Sequence, residues 1–385
     1  MNTVCQPDQC MGCMACIEVC PKDAIAIQDS LNAYNAEIDS VKCIGCNLCH
    51  KICQNNREIE FVKPIQWHQG WAEDVAVREG GSSGGAASAL MRAFVKNCGY
   101  VCSCLFQDGE FVFETTNELS ELSKFTGSKY VKSSPQGAYK QVKKLLQKGE
   151  KVLFIGLPCQ VAALKIFVGE KLQENLYTAD LICHGTPSPK LLGLFLKQYG
   201  YAMKDLKDIK FRIKGKFQVR EGYKGITTTG VTDSYLISFL NGICYTENCY
   251  SCKYARLERI SDITLGDSWG TELAEDEMRK GISLLLCQTE KGERLLCEAG
   301  LKLVKVDLDR AIARNAQLKA PMQRPVARAD FFQKIRSGKK YNKVIFKLYP
   351  KQSMKQWVKG ILIKAHLYRG GVMSYRTVVR VGRHC

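Results

Sequence analysis

A repeated cysteine pattern near the amino terminus constrains this chain more than any other feature. Cysteines occur at positions 10, 13, 16 and 20 and again at 43, 46, 49 and 53, so both runs read C-x2-C-x2-C-x3-C. Three cysteines at this spacing place their sulfurs on one tight loop, whereas the fourth lies beyond the following turn. We therefore expect the fourth cysteine of each run to reach the metal centre of the other run.

This pattern is typical of a module that binds two 4Fe-4S clusters. Cluster one is assigned to Cys10, Cys13, Cys16 and Cys53, and cluster two to Cys43, Cys46, Cys49 and Cys20. A disulfide framework or paired zinc sites would not need this periodicity, because zinc sites use two close cysteines at a time. Cys5 lies outside the repeat and is not predicted to take part. The second run ends in Cys53-Gln54, where the first ends in Cys20-Pro21.

Composition indicates the cellular compartment that suits such a chain. The 385 residues include twenty cysteines, and the first twenty residues lack the apolar stretch of a signal peptide. No apolar run approaches the roughly 18 residues needed to span a bilayer. Thiolates that serve metals rather than disulfides indicate a reducing compartment, so a cytoplasmic location is expected.

Positive charge is concentrated at the carboxyl end. Residues 325–385 contain fifteen Lys or Arg and one acidic residue, hence +14 of the total of +18. Apolar residues from Met354 to Tyr368 recur at helical spacing between lysines, which predicts a basic amphipathic helix. An anionic membrane surface on the inner face is one expected partner of this tail, and a plain solvated tail is the alternative. Nucleic acid is disfavoured because few aromatic residues interleave with the basic ones.

The middle of the chain reads as alternating strands and helices, which predicts an α/β (α+β) fold. The pattern predicts a helix over 86–96 and strands over 100–106, 111–115, 151–156 and 177–183, with further strands after residue 205. Residues 63–74 read as an aromatic connector. Three regions follow: a two-cluster ferredoxin-like module at 1–60, an α/β flavin-binding domain at 61–324, and a basic helical tail at 325–385.

A glycine-rich loop at residues 80–85 precedes the predicted helix at 86–96. Glycines let backbone N–H groups face a phosphate, and the amino terminus of a helix adds positive potential. By itself the loop is equally consistent with a flexible connector. A second segment, FTGSKYV at 125–131, offers hydroxyl groups and a cation suited to the phosphates of a dinucleotide.

A series of motifs carries a family resemblance. It comprises GSSGGA at 81–86, GSKYV at 127–131, GLPCQVAALK at 156–165, DLICHGTPSP at 180–189, CYSCKY at 249–254 and SDITLGDSWG at 261–270. Together with the amino-terminal module, these motifs resemble the coenzyme F420 hydrogenase/dehydrogenase beta-subunit family over roughly residues 1–300. The resemblance implies a bound FAD, a further 4Fe-4S cluster beside it, and electron transfer between the clusters and the flavin.

Carried over by position, the resemblance implies specific site residues. Ser83, Gly84, Gly85, Ser128 and Lys129 would hold FAD, and Cys159, Cys183, Cys249 and Cys252 would hold the third cluster. Cys244 forms a plant-type C-x4-C-x2-C spacing with the last two and could replace one ligand. A zinc site that uses Cys183, His184, Cys249 and Cys252, and buried inert thiols, are the alternatives.

Charged residues after residue 205 admit two interpretations. Arg212, Lys214 and Lys216 could neutralise an anionic substrate or flavin, or could form a solvated strand edge. Asp267 and Trp269 follow a predicted strand, where the indole could stack near a flavin or pack on the core.

The sequence therefore predicts an iron–sulfur flavoprotein oxidoreductase that receives electrons from ferredoxin or another redox protein. A non-catalytic electron-transfer subunit, and a membrane-surface assembly protein with structural clusters, are the rival interpretations. The substrate and the catalytic residues are not predicted.

Overall fold

The computed structural model describes residues 2–367, and its amino-terminal module is built from two similar halves. Each half has one short helix and one strand: α1 (Ala15–Val19), β1 (Ile25–Asp29), β2 (Tyr34–Ile38) and α2 (Leu48–Ile52). Both helices start from a left-handed residue, Met14 with φ 63° and Asn47 with φ 60°. The internal repeat in sequence is therefore a repeat in backbone conformation.

An eight-stranded mixed sheet forms the centre of the molecule. Its strands are β3 (Gln66–Ala72), β4 (Tyr100–Gln107), β5 (Glu110–Thr116), β6 (Val152–Gly156), β7 (Leu176–Leu181), β11 (Ile263–Asp267), β12 (Ser283–Cys287) and β13 (Leu301–Lys305). Their order is β13-β3-β12-β11-β7-β6-β4-β5. Strands β4, β6, β7 and β11 are parallel, and antiparallel strands flank them on both sides. The mixed α/β prediction is thus confirmed.

Helices cover both faces of this sheet. They are α3 (Val75–Gly80), α4 (Ala86–Lys96), α5 (Ala138–Gln147), α6 (Pro158–Val168), α7 (Pro189–Lys197), α8 (Ser234–Leu240), α9 (Glu275–Lys280) and α10 (Glu290–Glu298). Apolar residues of α4 and α10 share one core on one face, and those of α5 and α6 share another core with α1. A smaller antiparallel sheet joins β8 (Lys210–Ile213), β9 (Lys216–Glu221) and β10 (Lys224–Gly225).

The predicted connector at 63–74 is wrong, because β3 occupies an interior position between β12 and β13. Polar residues within this strand prevented its prediction from the sequence. Gln69 is buried, accepts a hydrogen bond from the Ser268 hydroxyl and donates one to the carbonyl of Lys305. A buried polar side chain with partners is stable in a core, but it breaks the apolar pattern on which strand prediction depends.

The carboxyl-terminal region is not a separate tail from residue 325 onward. It forms α11 (Leu308–Arg314), α12 (Arg328–Arg336), α13 (Tyr341–Leu348) and α14 (Pro350–Lys364). Phe331 and Ile345, from α12 and α13, are buried in the core that contains α7 and α8. The high positive charge of this region led to the prediction of a separate tail, although α12 and α13 bury apolar faces against the central domain. Tyr368, the last residue of the predicted amphipathic helix, lies outside the described residues.

None of the helices described between residues 2 and 367 combines the length and the apolar character that crossing a bilayer requires.

A buried carboxylate attaches the amino-terminal module to the central domain. Glu18, at 5% exposure, accepts hydrogen bonds from the backbone amides of Gly137 at 2.9 Å and Lys140 at 2.8 Å. These amides belong to the first turn of α5, where the helix dipole favours a negative charge. Burial raises the pKa of Glu18, although these amides favour its charged form. One side chain thus caps a helix of the other domain.

We expect Glu18→Ala to lower the free energy of unfolding by about 2 kcal/mol, the usual effect of losing hydrogen bonds to a charged group. The measurement is anaerobic denaturant unfolding, with Glu118→Ala as the control because Glu118 is exposed. An unchanged midpoint for Glu18→Ala would contradict the capping role.

Candidate functional site

The first set of cysteines converges where α1 and α2 pack together. Cys10, Cys13, Cys16 and Cys53 line one cavity, so the structure brings together the four residues assigned to cluster one. Cys53 comes from the end of the second half, as the crossed arrangement requires. The cavity is also lined by a fifth thiol, that of Cys5, which the repeat pattern did not include.

The second set of cysteines forms an equivalent cavity. Cys20, Cys43, Cys46 and Cys49 line it, which is the set assigned to cluster two. In each half a left-handed glycine directs its amide to the first sulfur: Gly12 to Cys10 at 3.4 Å and Gly45 to Cys43 at 3.5 Å. Hydrogen bonds to sulfur are one means by which a protein adjusts cluster potential. The donor sets and their surroundings therefore fit two 4Fe-4S clusters.

The two cavities differ in exposure. Cys10, Cys16 and Cys49 are buried, whereas Cys43 and Cys46 are exposed. Around the exposed pair three apolar side chains are exposed, Val41 at 93%, Ile44 at 60% and Leu48 at 40%, beside the ion pair of Lys42 and Asp39. Exposed apolar side chains around a site are typical of protein contact surfaces. The second cavity faces the outside, and the first faces the central domain.

A third set of cysteines lies at the carboxyl edge of the parallel strands. Cys159 follows β6 and Cys183 follows β7, and neighbouring parallel strands end at the same edge. A short helical turn at 247–251 supplies Cys249 and is followed by Cys252. The four predicted residues of the third site are therefore brought to one region of the molecule.

The thiols of this third set influence one another. Burial and the nearby Cys252 and Cys183 thiols raise the pKa of Cys159 well above its ordinary value. Burial and the Cys249 and Cys252 thiols raise the pKa of Cys183 to about 12. Such thiols stay protonated until a metal displaces the protons.

The positions of Cys244 and His184 give less support to the alternative ligands of the third site. Cys244 is fully buried beside Ser238 in an aromatic core, so its environment is that of a packing residue. His184 is exposed at the sheet edge. Across residues 2–367 no three His, Cys, Asp or Glu side chains are gathered closely enough to hold a single metal ion.

Two buried polar side chains join the first and third cysteine sets. The Gln54 amide donates to the carbonyl of Cys159 at 2.7 Å and accepts from the Tyr254 hydroxyl. The Lys132 ammonium, on a residue 5% exposed, donates to the carbonyl of Met11 at 3.1 Å. Its charge also acts to lower the pKa of Cys159, against the larger effect of burial. The sequence offered one indication of this contact, because Gln54 follows Cys53 where Pro21 follows Cys20 in the first run.

The segments assigned to FAD meet, but several of their polar groups are already bonded. The Ser82 hydroxyl accepts from the amide of Ser128 at 2.9 Å, which joins the two loops. The Ser83 hydroxyl donates to the carbonyl of Ile282, and the Gly84 amide donates to the Ser283 hydroxyl. Lys129 donates to the carbonyl of Phe125.

The shape of these loops gives a second test of the flavin prediction. A Cβ at Gly84 would lie 2.5 Å from the carbonyl oxygen of Gly70, whereas at Gly127, with φ +93°, it would meet no atom within 4 Å. Gly85 caps α4 from a left-handed conformation. The fit is therefore partial: Ser83 and Gly84 hold the loop against β12, and the open backbone lies at 127–128.

Charged and aromatic residues surround the same region. Arg212 is paired in bidentate fashion with Asp267, at 2.6 and 2.8 Å, and lies over the ring of Trp269. It is 7% exposed, so the predicted solvated strand edge is wrong at this position. Lys214 donates to the carbonyls of Ser83 and Arg78. Burial and the cations Arg78 and Arg212 lower the pKa of Lys214 to about 8. Lys216 is exposed.

Comparison with known proteins gives two family matches. Residues 7–60 match the 4Fe-4S dicluster domain, and residues 149–307 match the family described as the carboxyl-terminal part of the beta subunit of coenzyme F420 hydrogenase/dehydrogenase. A search among curated proteins found no match. Among solved structures, the chain is similar to one from the F420-reducing NiFe hydrogenase complex of Methanosarcina barkeri. The identity is 18%, with 68% of this chain and 94% of that chain covered and a TM-score of 0.48.

The crossed ligand arrangement predicts the behaviour of Cys20→Ala. Although Cys20 belongs to the first run, its loss should remove the same EPR signal, and about four irons, as Cys46→Ala does. The reference for the other cluster is Cys13→Ala. If Cys20→Ala instead reproduced the Cys13→Ala spectrum, each run would bind its own cluster and the assignment would be wrong.

Proposed function

Because this chain joins a 4Fe-4S dicluster domain to the carboxyl-terminal domain of the coenzyme F420 hydrogenase/dehydrogenase beta-subunit family, we propose that it conducts electrons inward from a redox partner. The route runs from cluster two to cluster one, then to a third 4Fe-4S cluster and an FAD in the central domain. One observation carries this proposal: Gln54, the residue after Cys53, donates a hydrogen bond from its side-chain amide to the backbone carbonyl of Cys159.

Electrons enter at the cluster-two surface in this account. Two of its ligands, Cys43 and Cys46, are exposed and lie among exposed apolar residues. A donor such as a ferredoxin can approach closely there, because apolar contact excludes water without imposing a fixed geometry. Cluster one is shielded by the central domain, so it serves as the inner relay.

In the central domain, buried polar residues would support the third cluster, which is the next site on the route. A cluster ligated by four thiolates adds negative charge to a region of low dielectric, and the buried Lys132 offsets part of it. Gln54 fixes the distance between the two cysteine sets. Cys249 accepts a hydrogen bond from the amide of Thr186 at 3.4 Å, which would stabilise its thiolate form.

The flavin belongs, in this proposal, beside the loop at 127–129 and the Arg212–Asp267 pair. Support comes from the contact between Ser82 and Ser128, the open backbone at Gly127, and a cation held under Trp269. FAD would supply the conversion between one-electron and two-electron transfer. Ser128 and Lys129 would contact it, and Ser83 and Gly84 would hold the loop in place. Because Asp267 already neutralises the charge of Arg212, Arg212 would have a positioning role in this site and would not itself bind an anion.

The test is anaerobic purification followed by iron, sulfide and flavin analysis. Three clusters and one flavin predict about twelve irons and one FAD per chain. The double variant Cys159→Ala/Cys252→Ala should fall to about eight irons, whereas Cys244→Ala should retain about twelve. Eight irons and no flavin in the unaltered protein would contradict the proposal and leave a two-cluster electron-transfer subunit.

We propose in addition that α14 docks on an anionic membrane. Gln352 and Gln356 bond to Asn241 and Thr232 and hold one side of α14 on the body. The opposite side presents Met354, Trp357, Val358 and Ile361, which are 43–60% exposed. Lys351, Lys355 and Lys364 are exposed on the same helix. An apolar strip with lysines on its helix suits the interface of an anionic leaflet.

Vesicle sedimentation tests this docking. The full chain should sediment with phosphatidylglycerol-containing vesicles and not with phosphatidylcholine vesicles, and Trp357→Gln/Ile361→Gln should bind at least tenfold more weakly. The control, Val326→Gln/Leu119→Gln, removes exposed apolar side chains elsewhere. Truncation at residue 325 is unsuitable, since it would uncover the core that α12 and α13 fill. Equal sedimentation of the two double variants would contradict membrane docking through α14.

A further inference from the structure

A lysine of the central domain reaches the loop that carries the ligands of cluster one. Lys132 is 5% exposed, and its ammonium donates to the carbonyl of Met11 at 3.1 Å. The same ammonium lies 5.1 Å from the centre of the Tyr34 ring. Because Met11 lies between the assigned ligands Cys10 and Cys13, the positive charge belongs to the immediate surroundings of cluster one.

The ligand loop is shaped around this side chain. A Cβ at Gly12 would lie 2.9 Å from the Cδ atom of Lys132 and 2.9 Å from the ring of Tyr34. Gly12 also has a φ of +69°, a conformation that favours glycine. The backbone of Lys132 is fixed as well, because its amide donates to the carbonyl of Pro187 at 2.9 Å. The stem of the lysine therefore packs directly on the cluster-one loop.

The buried ammonium of Lys132 has no carboxylate partner. Among residues 2–367 it forms no ion pair, although the residue is buried. A buried cation is strongly unfavourable unless an opposite charge lies close to it. Met11 and the four assigned ligands line one cavity, and an iron–sulfur cluster held there by four thiolates is an anion. Cluster one can therefore supply the negative charge that Lys132 lacks.

The equivalent glycine of the second half has no such neighbour. Gly45 matches Gly12 in sequence and has a φ of +70°, but a Cβ there would meet no atom of the described residues within 4 Å. Lys22 lines the cluster-two cavity and is exposed. Water and salt screen the charge of an exposed lysine far more than that of a buried one. Two otherwise similar sites thus differ by one unscreened positive charge.

From this asymmetry we infer that Lys132 is the counter-cation of cluster one and raises the reduction potential of cluster one above that of cluster two. A reduced cluster carries one more negative charge than an oxidised one, so a buried cation beside it favours the reduced form. The inference deepens the inward route proposed above, since electrons then pass downhill from cluster two to cluster one. It rests on the assignment of these two clusters and does not require the third cluster or the flavin.

The experiment is an anaerobic redox titration of the iron-loaded full chain, followed by EPR. Cys46→Ala identifies the cluster-one transition, because it lacks a ligand of cluster two. Lys132→Met replaces the ammonium by a neutral side chain of similar length. It should retain iron and lower the cluster-one potential by about tenfold in the ratio of reduced to oxidised cluster, or about 59 mV for a one-electron couple. Lys132→Gln, which keeps a donor for the Met11 carbonyl, should lower it similarly.

The matched control is Lys190→Met. Lys190 is exposed and donates to the carbonyl of Asp29 at 2.8 Å, so it contacts the same module without a buried charge. It should leave both dicluster transitions in place. Retained iron with an unmoved cluster-one transition in both Lys132 variants would overturn the inference, and so would an equal shift in Lys190→Met. Loss of about four irons in both Lys132 variants would also overturn it, because Lys132 would then act in cluster assembly. These readouts are separate from the flavin analysis that tests the proposed route.

Discussion

The side-chain amide of Gln54 is the contact on which the rest of this arrangement depends. Gln54 directly follows Cys53, which is assigned to cluster one, and is 1% exposed. The amide nitrogen of its side chain donates to the Cys159 carbonyl, and the side-chain oxygen accepts from the Tyr254 hydroxyl. The backbone carbonyl of Gln54 accepts from the Lys253 ammonium. A buried amide without partners costs about 1–3 kcal/mol, so these bonds favour the observed packing of the two domains.

Further contacts hold the amino-terminal module against the central domain near Gln54. Glu18 anchors the first half of the module on α5, and Arg328 holds its hairpin by donating to the carbonyl of Asn32 at 2.8 Å. Arg328 also pairs with Glu247, two residues before Cys249. Part of the positive charge near the carboxyl end therefore holds the amino-terminal hairpin and the segment that contains Cys249. Rigid spacing favours fast electron transfer, since the protein contributes chiefly position and potential to bound cofactors.

The sequence revealed the metal-binding module because cysteine spacing is a local geometric requirement. The same holds for α4, predicted over 86–96 and found at Ala86–Lys96, where a glycine loop precedes an amphipathic run. By contrast, β3 was missed because Gln69 is buried in it, and α12 was assigned to a tail because its arginines pair with another part of the chain. Cys5 and Lys132 reach their sites through tertiary contacts that no spacing rule encodes.

Inward flow from a surface cluster to a buried one is the central claim of this account, and rapid-mixing kinetics with freeze-quench EPR test it most directly. A reduced ferredoxin is mixed with the unaltered protein and with Cys46→Ala, which keeps cluster one but lacks a ligand of cluster two. We predict that the cluster-two signal appears first, and that cluster one is reduced at least tenfold more slowly in the variant. Reduction of cluster one at an equal rate in both proteins would show that electrons enter elsewhere and would contradict inward flow.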